Sequence, residues 1–211
     1  MAISLRESLT PEHLDTLQET VNIAIGRAAN SLAQLLNARV RIGVSEVRIL
    51  DLEAFTQRVL TELGTGLTAI VQIFHNHLTG HASLLLPREH AAQLIRVLLH
   101  RPYEATIAFP AEEESALAEM GNIIPNATLS TPAGIAQIRY RVTPPQTHIN
   151  LSAAQLPRLI TLSLPEHSEA ILLLGRLQIN EISLQFYTVL LLALQAEGAQ
   201  RLLRPLADWT P

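Results

Sequence analysis

The segments LDTLQETVNIAIGRAAN (Leu14–Asn30) and ESALAEMGNIIPNATLS (Glu114–Ser130) decide how this 211-residue chain is read. Asp15, Glu19 and Asn22 in the first recur as Ser115, Glu119 and Asn122 in the second, at the same spacing and 100 positions on. The first segment reads as part of a helix that opens at Thr10-Pro11 and runs to about Asn37. A threonine can cap exposed N–H groups, and proline at the first helical position loses no hydrogen bond. Leu14, Leu17, Val21, Ala24, Ala28, Leu32 and Leu35 recur every three or four residues and predict a buried stripe. Asp15, Glu19, Asn22 and Gly26 form a second stripe about 150° away at 100° per residue. That places an acidic and amide ridge on the side away from the core.

Reading outward, Arg39 to Leu50 alternates as a strand and Leu52 to Leu63 suits a short helix. Thr68 to Phe74 and His81 to Leu86 make a hairpin around Asn76-His77-Leu78-Thr79-Gly80, and Pro87 opens a helix whose Ala91, Leu94, Ile95, Leu98 and Leu99 face inward. The second half repeats the scheme. Ala111-Glu112-Glu113-Glu114 suits a helix N-terminus, where acids meet the positive end of the dipole. A strand over Gln137 to Val142, a helical stretch near Ala153 to Ile160, strands over Ala170 to Leu177 and Ile182 to Leu192, and a helix at Gly198 to Leu203 follow. Pro125, three residues after Asn122, removes a helical N–H and predicts a kink there. The expected fold is α/β with three layers, an antiparallel-rich sheet flanked by helices, and an internal pseudo-two-fold duplication. The expected domain is a single one over 1–211, built from halves of about 10–104 and 110–206.

Composition narrows the chemistry. Hydrophobic residues make up 48% and charged residues 16%, which supports a packed core over disorder. Cysteine is absent, so no disulfide, thiolate metal site or cysteine nucleophile exists. All 15 basic residues are arginine, which excludes Schiff-base lysines and a P-loop. A formal net charge of −4 carries no general footprint for nucleic acid or an anionic membrane. The N-terminus lacks the basic start and apolar run of a secretory signal, and no apolar run is long enough to span a bilayer. A cytoplasmic location is expected.

The duplicated [Asp/Ser]-x-x-x-Glu-x-x-Asn helix resembles the CheC/CheX/FliY family of chemotaxis phosphatases, and within it CheC. That family motif continues through twenty-two residues to a proline: Asn122 leads to Pro145, whereas Asn22 leads to Ser45. The resemblance implies a protein-aspartyl-phosphate phosphatase (a hydrolase) that acts on the receiver domain of a CheY-like response regulator in two-component signalling. On it, Asn22 and Asn122 orient the attacking water, since an amide offers both a donor and an acceptor without a repelling charge. Glu19 and Glu119 pair with the receiver's lysine, and Asp15 and Ser115 support. The implied chain binds no cofactor or metal of its own, because Mg²⁺ resides in the partner receiver. The alternative is a non-catalytic adaptor that binds the receiver or the deamidase CheD, or a module like that of flagellar switch proteins. Since duplication supplies both motif copies, a monomer is expected.

Other constellations read as structure. His75, His77 and His81 lack a carboxylate to complete a metal set and read as a polar turn. Gly43-Val44-Ser45 is no nucleophile elbow, Gly64-Thr65-Gly66 is a turn, and the arginines at 39, 41, 48, 139 and 141 suit charged edge strands.

Overall fold

The computed structural model describes residues 10–78, 80–100, 109–161, 169–179 and 182–192. The first helix, α1 (Pro11–Leu36), ends as its sequence requires: Asn37 turns left-handed (φ 45°) and the Ala38 N–H reaches back to the Ala33 carbonyl at 3.2 Å. Strand β1 (Val40–Leu50) leads into α2 (Leu52–Leu63), whose N-cap Asp51 accepts from the Ala54 N–H at 2.8 Å. Gly64 and Gly66, both at positive φ, turn the chain into β2 (Leu67–Asn76), which pairs with β3 (Gly80–Pro87), and α3 (Arg88–Leu99) follows. Two helices come next, α4 (Ala111–Gly121) and α5 (Ile123–Ile135), then β4 (Tyr140–Val142), β5 (Gln146–Leu151), α6 (Gln155–Thr161), β6 (Glu169–Ile179) and β7 (Ile182–Leu192).

All the strands join one sheet in the order β1-β6-β7-β3-β2-β4, with β5 also paired to β2, and every pairing is antiparallel. Exchanging β1, β2 and β3 for β4/β5, β6 and β7 reverses this order and leaves it unchanged. Alternation along the strands sends side chains to two apolar layers. On one face Ile70, Phe74, Ala82, Leu84 and Leu86 meet α1, α3, α4 and α5, with Leu17, Val21, Ala28 and Leu32 of α1 in the same core. On the other Ala69, Val71 and Leu85 meet Phe55, Val59 and Leu63 of α2 and Leu156 of α6. This is the expected three-layer α/β arrangement.

Three readings are corrected. Leu14 and Leu35 stand 41% and 42% exposed in the terminal turns of α1, while Ile25 and Leu36 are buried instead. The buried stripe drifts around a long helix as it crosses a twisted sheet. The strand expected over Gln137 to Val142 is confined to Tyr140–Val142, because Gln137 (φ 54°) and Ile138 close α5, the latter donating to the Ala133 carbonyl at 2.8 Å. A further strand, β5, follows it. Thr143 stitches this segment to β2, its N–H donating to the Ile73 carbonyl at 2.8 Å and its Oγ1 accepting from the Ile73 N–H at 3.0 Å. Gly26 is exposed with open space around it, on the outward stripe where the spacing places it. The final helix expected at Gly198 to Leu203 lies outside the described residues.

The motif proline explains a difference between the two sheet edges. Pro144-Pro145 lies between β4 and β5, where the missing N–H breaks the ladder. Ser45 leaves β1 as one 11-residue strand, with a register shift between Val44 and Glu46 in its pairing with β6.

Candidate functional site

On α1 the ridge forms as the spacing demands: Asp15, Glu19, Asn22 and Gly26 are all exposed. The opposite side is anchored by Leu17 and Val21, and the fully buried Thr20 satisfies its hydroxyl by donating to the Thr16 carbonyl at 2.8 Å. Such anchoring fixes the rotation of the helix and with it the outward aim of the ridge. One turn back, Gln18 Nε2 donates to Asn22 Oδ1 in a long contact of 3.5 Å.

The second copy is built differently. Ser115 and Glu119 are exposed on α4, but Asn122 is half-buried at the junction of α4 and α5. The backbone stays helical through it (φ −82°, ψ −16°): its N–H donates to the Ala118 carbonyl at 3.2 Å and its carbonyl accepts from the Asn126 N–H at 3.0 Å. The break follows from the buried Pro125, which has no N–H to offer the Gly121 carbonyl. Gly121 itself is pressed on the sheet. A Cβ there would sit 2.9 Å from Ile70 Cγ1 and closer still to Cδ1. In the first copy the corresponding residue is Val21, whose side chain is buried in the same core.

Gln18 and Gly121 went unnoticed in the sequence because neither belongs to the Glu-x-x-Asn pattern. A mismatch between otherwise parallel segments was the available signal, glycine inside a helical pattern above all. The two ridges are linked through the packing of α1 along α5, the direct continuation of α4.

The remaining candidates stand apart from both ridges. His75 and His77 are exposed at the hairpin, whereas His81 is 2% exposed on β3 with Nε2 unpartnered. Among the described residues no group of three His, Asp or Glu side chains is placed to hold a metal ion. Gly43 and Val44 lie within β1 and make no strand-to-helix turn. Arg41, Arg48 and Arg141 sit on the outermost strands, β1 and β4, and Arg39 and Arg139 immediately precede those strands.

Burial pushes the His81 pKa from 6.5 down to about 4. Between those values the unfolded chain takes a proton that the folded chain refuses, so stability falls as pH drops through the window. At pH 5 the loss is on the order of 2 kcal/mol. His148, lowered by the same cause, acts in the same direction. Thermal melts from pH 7 to pH 5 are expected to show a falling Tm in the parent and a flatter dependence in His81→Leu.

No protein-family model matches the chain. One curated relative, described as the CheY-P phosphatase CheC of Bacillus subtilis (strain 168), is 27% identical over 158 residues, which is 72% of this chain and 73% of the relative. Over most of its length the chain is thus similar in sequence to a CheC protein. Its fold agrees. The crystal structure of Thermotoga maritima FliY superposes with a TM-score of 0.73 at 20% identity, covering 95% of this chain and 98% of that one. The FliM middle domain from H. pylori superposes at 0.67 with 10% identity, covering 92% and 99%. The fold is thus shared with both FliY and a FliM domain, and catalysis has to be argued from the site rather than from the architecture. No helix among the described residues is long and apolar enough to cross a membrane.

Proposed function

We propose that this chain is an aspartyl-phosphate phosphatase for a CheY-like receiver domain, with Asn22 and Asn122 orienting the water. The observation that carries the reading is the exposed pair Glu19 and Asn22, one turn apart on an unbroken helix whose opposite side is locked into the core. An acyl phosphate is already an activated bond, and the receiver supplies Mg²⁺ and a lysine to the phosphoryl group. What remains is placement of a water in line. The water oxygen bonds to phosphorus as the phosphorus–carboxylate bond breaks. The receiver's aspartate carboxylate is regenerated, inorganic phosphate leaves, and the water protons pass to phosphate and solvent. Glu19 and Glu119 hold the partner in register through its lysine, and Asp15 and Ser115 flank that contact.

We also read the chain as one domain of two related halves. The reversible strand order and the identical closures at Asn37 and Gln137, each followed by an N–H reaching back to Ala33 or Ala133, support this. Two halves would provide two motif sites on a monomer.

The deciding experiment uses B. subtilis CheY phosphorylated with acetyl phosphate in Mg²⁺ buffer and this protein at a tenth of its concentration. Phosphate release accelerated over many turnovers is expected. A single stoichiometric burst or protection of the phosphate would assign a sequestering adaptor, and no effect on the release rate would overturn the reading. CheD binding is the separate alternative for an adaptor, and pull-down with purified CheD would reveal it.

A further inference from the structure

The two motif copies differ one residue before their glutamates, Gln18 in one and Ala118 in the other. We infer that Gln18 is a positioning residue for Asn22, and that the Asn122 site works without one. The inference rests on the phosphatase reading for its kinetic consequence, though not for its geometry.

Gln18 Nε2 donates to Asn22 Oδ1 across one helical turn, the spacing at which side chains on a helix meet. An exposed asparagine amide otherwise turns freely about its last torsion and exchanges the places of its donor and acceptor. A donor beside Oδ1 biases that torsion toward the orientation in which Oδ1 faces Gln18. One lone pair of Oδ1 is taken and the second stays open, while both Nδ2 hydrogens remain unengaged by Gln18. Asn22 can therefore accept from a water and donate to a phosphoryl oxygen in the orientation that the contact favours. At 3.5 Å and exposed to solvent the bond adds little to stability. Its effect falls on orientation, which is the contribution a water-positioning residue has to make.

Ala118 offers Asn122 no such donor. There the backbone is set by the helix break and by Gly121 against Ile70, which fix where the residue sits and leave its terminal amide to the partner.

Two measurements on the full chain test this. In Gln18→Ala the ¹⁵N–¹H heteronuclear NOE of the Asn22 side-chain amide is expected to fall toward that of a free amide, with Tm unchanged. In the assay with phosphorylated B. subtilis CheY and an Asn122→Ala background, the same substitution is expected to lower kcat about three- to tenfold at constant KM. Ala118→Gln in an Asn22→Ala background is expected to raise kcat. An unchanged amide signal overturns the positioning contact, and an altered signal with unchanged kcat overturns its catalytic consequence. If the parent protein releases no phosphate, the phosphatase reading fails while the amide measurement still decides the contact.

Discussion

With Asn22 and Asn122 both changed to alanine, turnover of the phosphorylated receiver is expected to drop about a hundredfold, into the range of the receiver's own hydrolysis. The size follows from the task. A residue that supplies neither charge nor nucleophile contributes by placement, and misplacing the reacting groups costs about that factor. The fold should not notice. Asn22 is exposed, Asn122 donates and accepts its helical hydrogen bonds through backbone atoms, and alanine is a better helix former than asparagine. Far-UV circular dichroism and Tm should match the parent while phosphate release collapses. Receiver binding should survive, because Glu19 and Glu119 remain. An unchanged release rate in this double variant would remove water positioning by these residues as the mechanism.

Gly121→Val is expected to carry the largest effect on stability tied to the site. It installs in the second copy the residue that Val21 provides in the first. Its Cβ would enter the Ile70 side chain, within 2.9 Å of Cγ1, in a buried layer with no slack. Overpacking of this kind costs about 2 kcal/mol, which for a chain of this length lowers Tm by about 6 °C. Where the Ile70 side chain does not give way, the strain is relieved by lifting the end of α4 from β2, and Asn122 is the next residue. Loss of second-site turnover in an Asn22→Ala background should accompany the fall in Tm. Ile70→Ala in the same chain opens the space and should recover part of both, even though alone it leaves a cavity. Full stability in Gly121→Val would mean that α4 does not rest on β2 as described.

Much of this architecture was legible because local chemistry and tertiary packing agree. The α1 stripe from Leu17 to Leu32, the hairpin of β2 and β3, and the capped helix after Asp51 each state a period and a boundary in their own residues. β5 did not. Gln146 to Leu151 is polar and short, follows two prolines, and becomes a strand because β2 offers it hydrogen-bond partners. The drift that exposes Leu14 and Leu35 was equally out of reach, since helical angle alone cannot say where a helix runs off a twisted sheet.

The two ridges divide along the same line. Spacing alone set which residues share a helix face, because 100° per residue is a property of the backbone: Asp15, Glu19 and Asn22 emerge together, and so do Ser115 and Glu119. Only the tertiary structure decided that the two asparagines stand in different surroundings. Asn22 projects from a continuous helix with Gln18 against its amide, while Asn122 sits half-buried where Pro125 breaks the hydrogen-bond ladder and Gly121 meets Ile70. That contact joins residues about fifty positions apart in the chain, and no local pattern encodes a distance set by how a helix lies on a sheet.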